Sequence, residues 1–323
     1  MSIANNHSLA QAKAAKNDEF YTQLDDIENE LQHYKSHLHG KTIYCNCDGP
    51  YRSNFFRYFA LNFNKLGLLR LISSNYQSDG ARSISVILEH VQDEDRDGAP
   101  DLDIDLFLQR NRAVITVLKG DDEYAAGDFR SLECIELLKQ ADVVVTNPPF
   151  SLFRAYVAQL VEYQKQFLII GSKNAITYKE IFPLIKEDKL WIGMTPMGRD
   201  MLFGVPEPIA RVMVASGKKG SSYRIVNGKV MGRATSVWYT NLDHGRRHEP
   251  LKLRTMADNL RYNKKLQKIL YQQYDNYDAI EVPFTGAIPS NYDGAMGVPI
   301  TFLDKYCPDQ FEIVGITKTW HGG

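Results

Sequence analysis

A chain of 323 residues with 44% hydrophobic and 24% charged residues has the composition of an ordinary globular protein, long enough for one large domain or two. No apolar run reaches membrane-spanning length, the N-terminus has no signal-peptide core, and the cysteines (Cys45, Cys47, Cys134, Cys307) lack metal-site spacing. A cytoplasmic protein with no membrane partner and no metal requirement is therefore expected, and 38 Lys and Arg against 39 Asp and Glu give no global bias towards nucleic acid.

Residues 1–16 read as a flexible N-terminal arm. Thr22 and Asp25 then have capping-box spacing, and Ile27, Leu31, Tyr34 and Leu38 fall on one face of a predicted helix. Residues 42–47 are a predicted strand, broken at Asp48-Gly49-Pro50. Ser53 is placed to cap a helix burying Phe55, Phe56, Phe59, Phe63 and Leu66, and residues 68–73 are a second strand, followed by Ser74-Asn75. Residues 77–112 interrupt this rhythm. Asp93-Glu94-Asp95-Arg96-Asp97-Gly98 has the acids and glycine that open a calcium loop, but Ile104 occupies the twelfth place, so a solvated acidic loop is expected.

Residues 113–118 are a strand, leading to Gly127-Asp128-Phe129-Arg130 and a helix from Ser131 to Gln140 with Leu132, Ile135 and Leu138 inward. Asp142-Val143-Val144-Val145-Thr146 has the apolar run of a strand buried on both faces, and it stops abruptly at Asn147-Pro148-Pro149-Phe150. Ser151 is placed to cap a helix burying Leu152, Tyr156, Val157 and Leu160; strands at 167–170 and 189–192 flank a helix at 177–186. Beyond residue 196 the texture changes. Asn227-Gly228 joins strands at 223–226 and 229–233 as a hairpin, residues 237–242 are a strand, and residues 256–274 read as a basic helix.

This alternation predicts an α/β protein with a Rossmann-like, doubly wound, mostly parallel sheet. The catalytic core is assigned to residues 17–195, with 77–112 as an insertion, and a smaller C-terminal α+β region to residues 196–323. Asn147 then lies at the carboxyl end of a central strand, where open α/β sheets bind ligands.

An isolated Asn-Pro-Pro is a sharp turn; after a buried strand and before an aromatic residue it suits methylation of a planar amino group. Such a nitrogen has its lone pair delocalised into the ring. Asn147 offers a side-chain acceptor and Pro148 a carbonyl on a backbone with a locked torsion, so together they can hold both amino hydrogens. Phe150 offers a flat surface on which a swung-out base can stack. A methyl donor needs a site of its own. Asp48 ends the first strand, where a carboxylate can meet the ammonium of S-adenosylmethionine. Asp128, placed at the end of the strand before the Asn147 unit, can accept from the cofactor's adenine amino group, with Phe129 against the ring.

Gly127–Ser131 (GDFRS), residues 142–153 (DVVVTNPPFSLF), Asp18–Thr22 (DEFYT) and residues 296–303 (MGVPITFL) resemble, in that order along most of the chain, the EcoRI-type adenine-specific DNA methyltransferases. The resemblance implies a class I methyltransferase fold and transfer from S-adenosylmethionine to adenine N6 in double-stranded DNA, within a restriction-modification or related system. It places Asn147, Pro148, Pro149 and Phe150 in the catalytic motif and Asp128 and Phe129 in the cofactor-adenine motif. It also puts Asp48 and Pro50 at the first strand's cofactor contact, and Tyr21 and Thr22 over the methionine end. The chain departs from the broader methyltransferase pattern in lacking a glycine-rich loop at Asp48-Gly49-Pro50 and an acid at Ser74-Asn75.

Charge is segregated along the chain: residues 211–270 hold fourteen Lys or Arg against three acids, Asp243, Glu249 and Asp258. That is how a chain of near-zero net charge presents a polyphosphate-binding face. Arg246, Arg247, Lys252, Arg254, Arg261, Lys264 and Lys265 are the candidate DNA contacts, with a solvated helix face as the alternative for Lys264 and Lys265. An RNA adenine or protein glutamine methyltransferase is the alternative function, and the basic segment disfavours glutamine. A monomer is expected.

Overall fold

The computed structural model describes residues 21–47, 49–76, 82–92, 103–199 and 201–317, without the Tyr21 side chain. The arm at 1–16, Asp48 and the calcium-like loop at 93–98 lie outside the described residues. In chain order the first strands are β1 (Tyr21–Thr22), β2 (Thr42–Cys45), β3 (Arg70–Ser74), β4 (Ile84–Leu88), β5 (Val114–Val117), β6 (Val143–Thr146) and β7 (Gln166–Ser172). They are followed by β8 (Trp191–Ile192), β9 (Met201–Gly204), β10 (Tyr223–Val226), β11 (Lys229–Ala234) and β12 (Ser236–Thr240), then β13 (Gln272–Gln273), β14 (Ala279–Glu281) and β15 (Ala295–Gly297).

The central sheet has the order β5-β4-β3-β2-β6-β7-β12-β8. β3, β2, β6 and β7 are parallel neighbours, while β4 and β12 are each antiparallel to both of their neighbours. All strands but those two therefore run in one direction, and the mostly parallel sheet expected from the sequence is present. β2 and β6 are buried throughout because both faces of the sheet are covered. Their side chains divide by the two-residue period of a strand. Ile43, Cys45, Val143 and Val145 join the core with Phe55, Phe56 and Phe59, whereas Tyr44 and Val144 join the opposite core with Phe153, Tyr156 and Leu160.

The chain steps from β2 to β3 on one side and from β6 to β7 on the other. The strand order thus reverses between β2 and β6, the switch point at whose carboxyl ends open α/β sheets bind ligands. β12 comes from beyond residue 196 and pairs with β7 from Ser236↔Ser172 to Thr240↔Leu168, so the central sheet spans the boundary expected at 195/196. β4, from the expected insertion, is likewise a strand of this sheet. A second sheet, β1-β9-β11-β10, and a third, β13-β14-β15, complete the described strands. The third sheet belongs to a small core around Leu266, Ile280, Val282, Ile288 and Phe302.

Several local expectations are corrected. Thr22 caps no helix; it pairs with Phe203 in β1, and the helix runs over Leu24–Leu31 without a side-chain cap before a separate turn at Lys35–Leu38. The expected inward face is nonetheless right: Ile27, Leu31, Tyr34 and Leu38 are all buried. Ser53 does cap its helix, accepting from the Phe55 and Phe56 amides. Leu132 points outward, because the helix Leu132–Gln140 buries Cys134, Leu137 and Leu138 instead. Ser151 lies inside a 3₁₀ turn, Phe150–Leu152, that leads into the helix Phe153–Glu162. The long basic helix is broken into Met256–Tyr262 and Leu266–Ile269. Asn263 between them is extended, and its side-chain oxygen accepts from the Lys265 and Leu266 amides, which starts the second helix afresh.

Candidate active site at the switch point

Asn147 follows β6 directly and is half-buried, with Pro148 buried behind it. Pro149 is held at φ −57° and its carbonyl accepts from the Leu152 amide at 3.0 Å, so the chain turns out of the sheet within one residue of the prolines. Phe150 is partly buried and rests against the core that contains Phe55 and Phe56.

The ends of β2 and β6 are tied together beneath this turn. Thr146 Oγ1 donates to the Asn46 carbonyl, and the Tyr156 hydroxyl donates to the Asn46 side chain. Cys47 follows with φ 65°, a left-handed conformation unusual for a residue with a side chain, so β2 ends two residues earlier than the sequence suggests and turns sharply towards Gly49 and Pro50. Pro50 is buried in that turn.

Asp128 reaches the strand ends by a different route from the one expected. β5 ends at Val117 on the far edge of the sheet, and the intervening loop brings Gly127 back against the end of β3. Gly127 has φ 78°, and a Cβ there would lie 2.0 Å from the Asn75 carbonyl oxygen. Gly49 also packs on Asn75, since a Cβ there would lie 2.8 Å from the Asn75 Cβ. Asn75 is thus the post against which the loop after β2 and the Gly127 loop both pack. The Asp128 carboxylate is held by its own turn: it accepts from the Arg130 amide, and from Arg130 Nε at 2.9 Å and Nη2 at 2.7 Å. That contact raises the Arg130 pKa above its ordinary value, and the guanidinium stacks 4.5 Å from the Tyr124 ring centroid. Phe129 is buried edge-on against Tyr156 at 5.0 Å, and its carbonyl accepts from Gln159. Asn46, Asn75 and Tyr156, which join the strand ends, have no motif that marks them in the sequence, whereas Gly127 opens the GDFRS motif.

Thr22 closes another side of the rim. Its carbonyl accepts from Asn54 Nδ2 at 2.7 Å, which fixes the second sheet to the helix that follows the β2 loop. Its hydroxyl is buried and has no hydrogen-bond partner among the described residues. Asp128 and Asn147 bring acceptors to this end of the sheet, and Arg130, beside Asp128, is already paired. Acceptors of this kind fit a ligand carrying positive charge, and the Thr22 hydroxyl beside them can donate to a carboxylate on that ligand.

The candidate DNA contacts divide. Arg246 donates to the Met194 carbonyl at 2.7 Å and the Gly193 carbonyl at 2.5 Å, on the turn whose Met194 and Thr195 amides are held by buried Glu30. Arg247 is buried, paired with Asp188 and Asp243, and stacked 3.6 Å from the Trp191 ring centroid. Both arginines are committed to protein groups. Lys252, Arg254, Arg261, Lys264 and Lys265 are exposed; Arg261 lies 5.3 Å from the Tyr262 ring and Lys265 5.2 Å from the Phe284 ring.

The family model described as "Adenine-specific methyltransferase EcoRI" matches residues 8–322. The chain belongs to this family. It is 44% identical to the Type II methyltransferase M.EcoRI of Escherichia coli, over 98% of this chain and 90% of that protein. It is 38% identical to the Type II methyltransferase M.MgeORF184P of Mycoplasma genitalium, over 95% of this chain and 86% of the relative. With M.MpnI of Mycoplasma pneumoniae the identity is 35%, over 95% and 85%. No solved structure matches the chain. The sheet described above is the frame of an adenine-specific methyltransferase, with the Asn-Pro-Pro-Phe turn of this EcoRI-family enzyme at its switch point.

Proposed function

We propose that the enzyme transfers a methyl group from S-adenosylmethionine directly to N6 of an adenine swung out of double-stranded DNA, as the modification activity of a restriction-modification system. The observation that carries this reading is the position of Asn147-Pro148-Pro149-Phe150, at the carboxyl end of β6 where the strand order reverses. When bound, the cofactor supplies a methyl group on a sulfonium, an electrophile that needs no metal. Asn147 Oδ1 and the Pro148 carbonyl accept the two N6 hydrogens and draw the nitrogen lone pair out of conjugation. The locked proline backbone keeps the two acceptors in register, so little reorganisation is needed as charge develops. Phe150 stacks on the base and holds it at the depth of Asn147.

Tyr21, Thr22, the turn from Asp48 to Pro50, Asp128 and Phe129 would hold the cofactor. The Thr22 hydroxyl would donate to its carboxylate, and Asp128, with the acceptor capacity left beyond Arg130, would accept from its adenine amino group. Residues 196–323 would read the target sequence, with exposed Lys252, Arg254, Arg261, Lys264 and Lys265 on phosphates or base edges. The adenine specificity of the family argues against the glutamine alternative.

The test is methylation of DNA by the wild-type protein with labelled S-adenosylmethionine, followed by mapping of the modified base. N6-methyladenine confined to one short sequence is the expected result. Label on cytosine, or on RNA in preference to duplex DNA, would overturn the proposal.

A further inference from the structure

β10 and β11 form a hairpin in which Arg224 pairs with Met231, Ile225 with Val230 and Val226 with Lys229. Asn227 and Gly228 at its tip have φ of 49° and 75°, the two left-handed residues of a tight turn that matches strand twist. The base of the hairpin is anchored, with Tyr223 buried and Gly232 paired with Phe203 of β9. The distal half is not. Ile225 is 50% exposed and Val226 40%, and the helix Glu207–Ala215, which packs on β11, exposes Val212 at 70%. Single exposed apolar residues are ordinary; two adjacent β-branched ones beside a hairpin turn, with a third exposed on the helix packed against β11, mark a contact surface.

The surrounding charge says what the surface meets. Residues 208–242 contain Arg211, Lys218, Lys219, Arg224, Lys229 and Arg233 and no Asp or Glu. Like charge opposes a second copy of the same face, and a polyanion complements it. The position is equally telling. Thr235, which follows β11, accepts from the Lys173 amide at 2.9 Å, immediately past the carboxyl end of β7. The same sheet carries Thr22 on its β1 strand. The base of the hairpin therefore lies at the carboxyl edge of the central sheet, the edge on which Asn147 follows the neighbouring β6.

We infer that this hairpin is a wedge, with Ile225 and Val226 entering duplex DNA beside the target adenine while Lys218, Lys219 and Lys229 hold the flanking phosphates. The inference rests on the methyl-transfer reading above. Apolar side chains inserted between base steps are how proteins unstack and kink a duplex, and here they fill the gap left by the departing base.

The experiment compares wild type with the double variant Ile225→Ser/Val226→Ser on two duplexes. One carries the target adenine opposite thymine; the other carries it opposite an abasic site, where pairing is already lost. Wild type is assayed first on the paired duplex, and no methylation there would defeat the methyl-transfer reading before the hairpin is tested. Unstacking costs a few kcal/mol, and about 1.4 kcal/mol is tenfold, so the variant should be slowed about tenfold or more on the paired duplex. It should come within about twofold of wild type on the abasic duplex, where the wedge has nothing left to do. An undiminished rate on the paired duplex, or an equal loss on both, overturns the wedge. Cofactor binding and melting temperature of the variant, both expected to match wild type, establish that the fold is intact.

Discussion

Tyr156 donates its hydroxyl to the side chain of Asn46, joining the middle of the Phe153–Glu162 helix to the turn that ends β2. Thr146 grips the Asn46 backbone from the other side, one residue before Asn147. All three residues are buried. Tyr156→Phe keeps the edge-on contact with Phe129 but removes the donor, leaving a buried amide oxygen short of a partner at a cost of about 1–3 kcal/mol. Urea unfolding is expected to show that loss, and single-turnover methylation to slow with it, because the seam under Asn147 loosens. A variant with wild-type stability and rate would show that the seam does not depend on this bond.

Under the proposed mechanism, Asn147→Ala removes one of the two acceptors for the amino hydrogens. Losing one preorganised partner of this kind costs on the order of a hundredfold or more in rate. Turnover should fall by at least that much while calorimetry still detects S-adenosylmethionine and DNA binding. Phe150→Ala should impair turnover more than Phe150→Trp, since tryptophan preserves a stacking face.

Gly127→Ala tests the loop that carries Asp128. A methyl group there would sit 2.0 Å from the Asn75 carbonyl, on a backbone at φ 78° that disfavours any side chain. The loop must move away from β3, and Asp128 moves with it. Cofactor affinity should drop at least about tenfold, more than Asn147→Ala lowers it. Equal cofactor affinity in wild type and Gly127→Ala would exclude the Gly127–Phe129 loop from the cofactor site.

Arg247 and the Lys264/Lys265 pair should separate cleanly. Arg247→Ala strips Asp188 of its partner, leaves Asp243 with His248 alone and takes the cation from Trp191, and is expected to cost about 1–3 kcal/mol of stability. Lys264→Ala with Lys265→Ala should leave stability within about 0.5 kcal/mol yet reduce the salt dependence of DNA binding by about one per lysine. An unchanged salt slope would assign those lysines to an ordinary solvated face.

How far these features could be read in advance depended on the distance over which their causes act. The β6 strand and its abrupt end were legible because Val143, Val144 and Val145 are buried on both faces and the prolines that stop the strand adjoin them. The hairpin at Asn227-Gly228 was legible for the same reason, its turn chemistry being contained in two residues. The place of β12 in the central sheet was not, since its partners in β7 lie more than sixty residues earlier. Arg247 looked like a DNA contact because a basic run signals charge, whereas its commitment to Asp188 and Trp191 is set by tertiary packing. Likewise the sequence places Asp128 at a strand end, and only the approach of Gly127 to Asn75 shows that a loop delivers it.

His244 provides a prediction about pH. Its Nε2 donates to the Ile192 carbonyl at 3.0 Å, Tyr34 meets its ring edge-on at 6.0 Å, and its Nδ1 has no partner among the described residues. Burial, reinforced by Arg246 and Arg247 nearby, lowers its pKa to about 4 from the ordinary 6.5, against the smaller opposing pulls of the Ile192 carbonyl and Asp243. Between those two values the unfolded chain binds a proton at this position that the folded chain does not. Acidification from about pH 6.5 towards about pH 4 therefore draws the equilibrium towards the unfolded state, and below that window His244 adds no further slope. His244→Gln keeps an amide able to donate to the Ile192 carbonyl and cannot titrate. Urea midpoints for wild type and variant should diverge in pH dependence across that window, wild type falling more steeply, and parallel curves would show that His244 is not kept neutral by the fold.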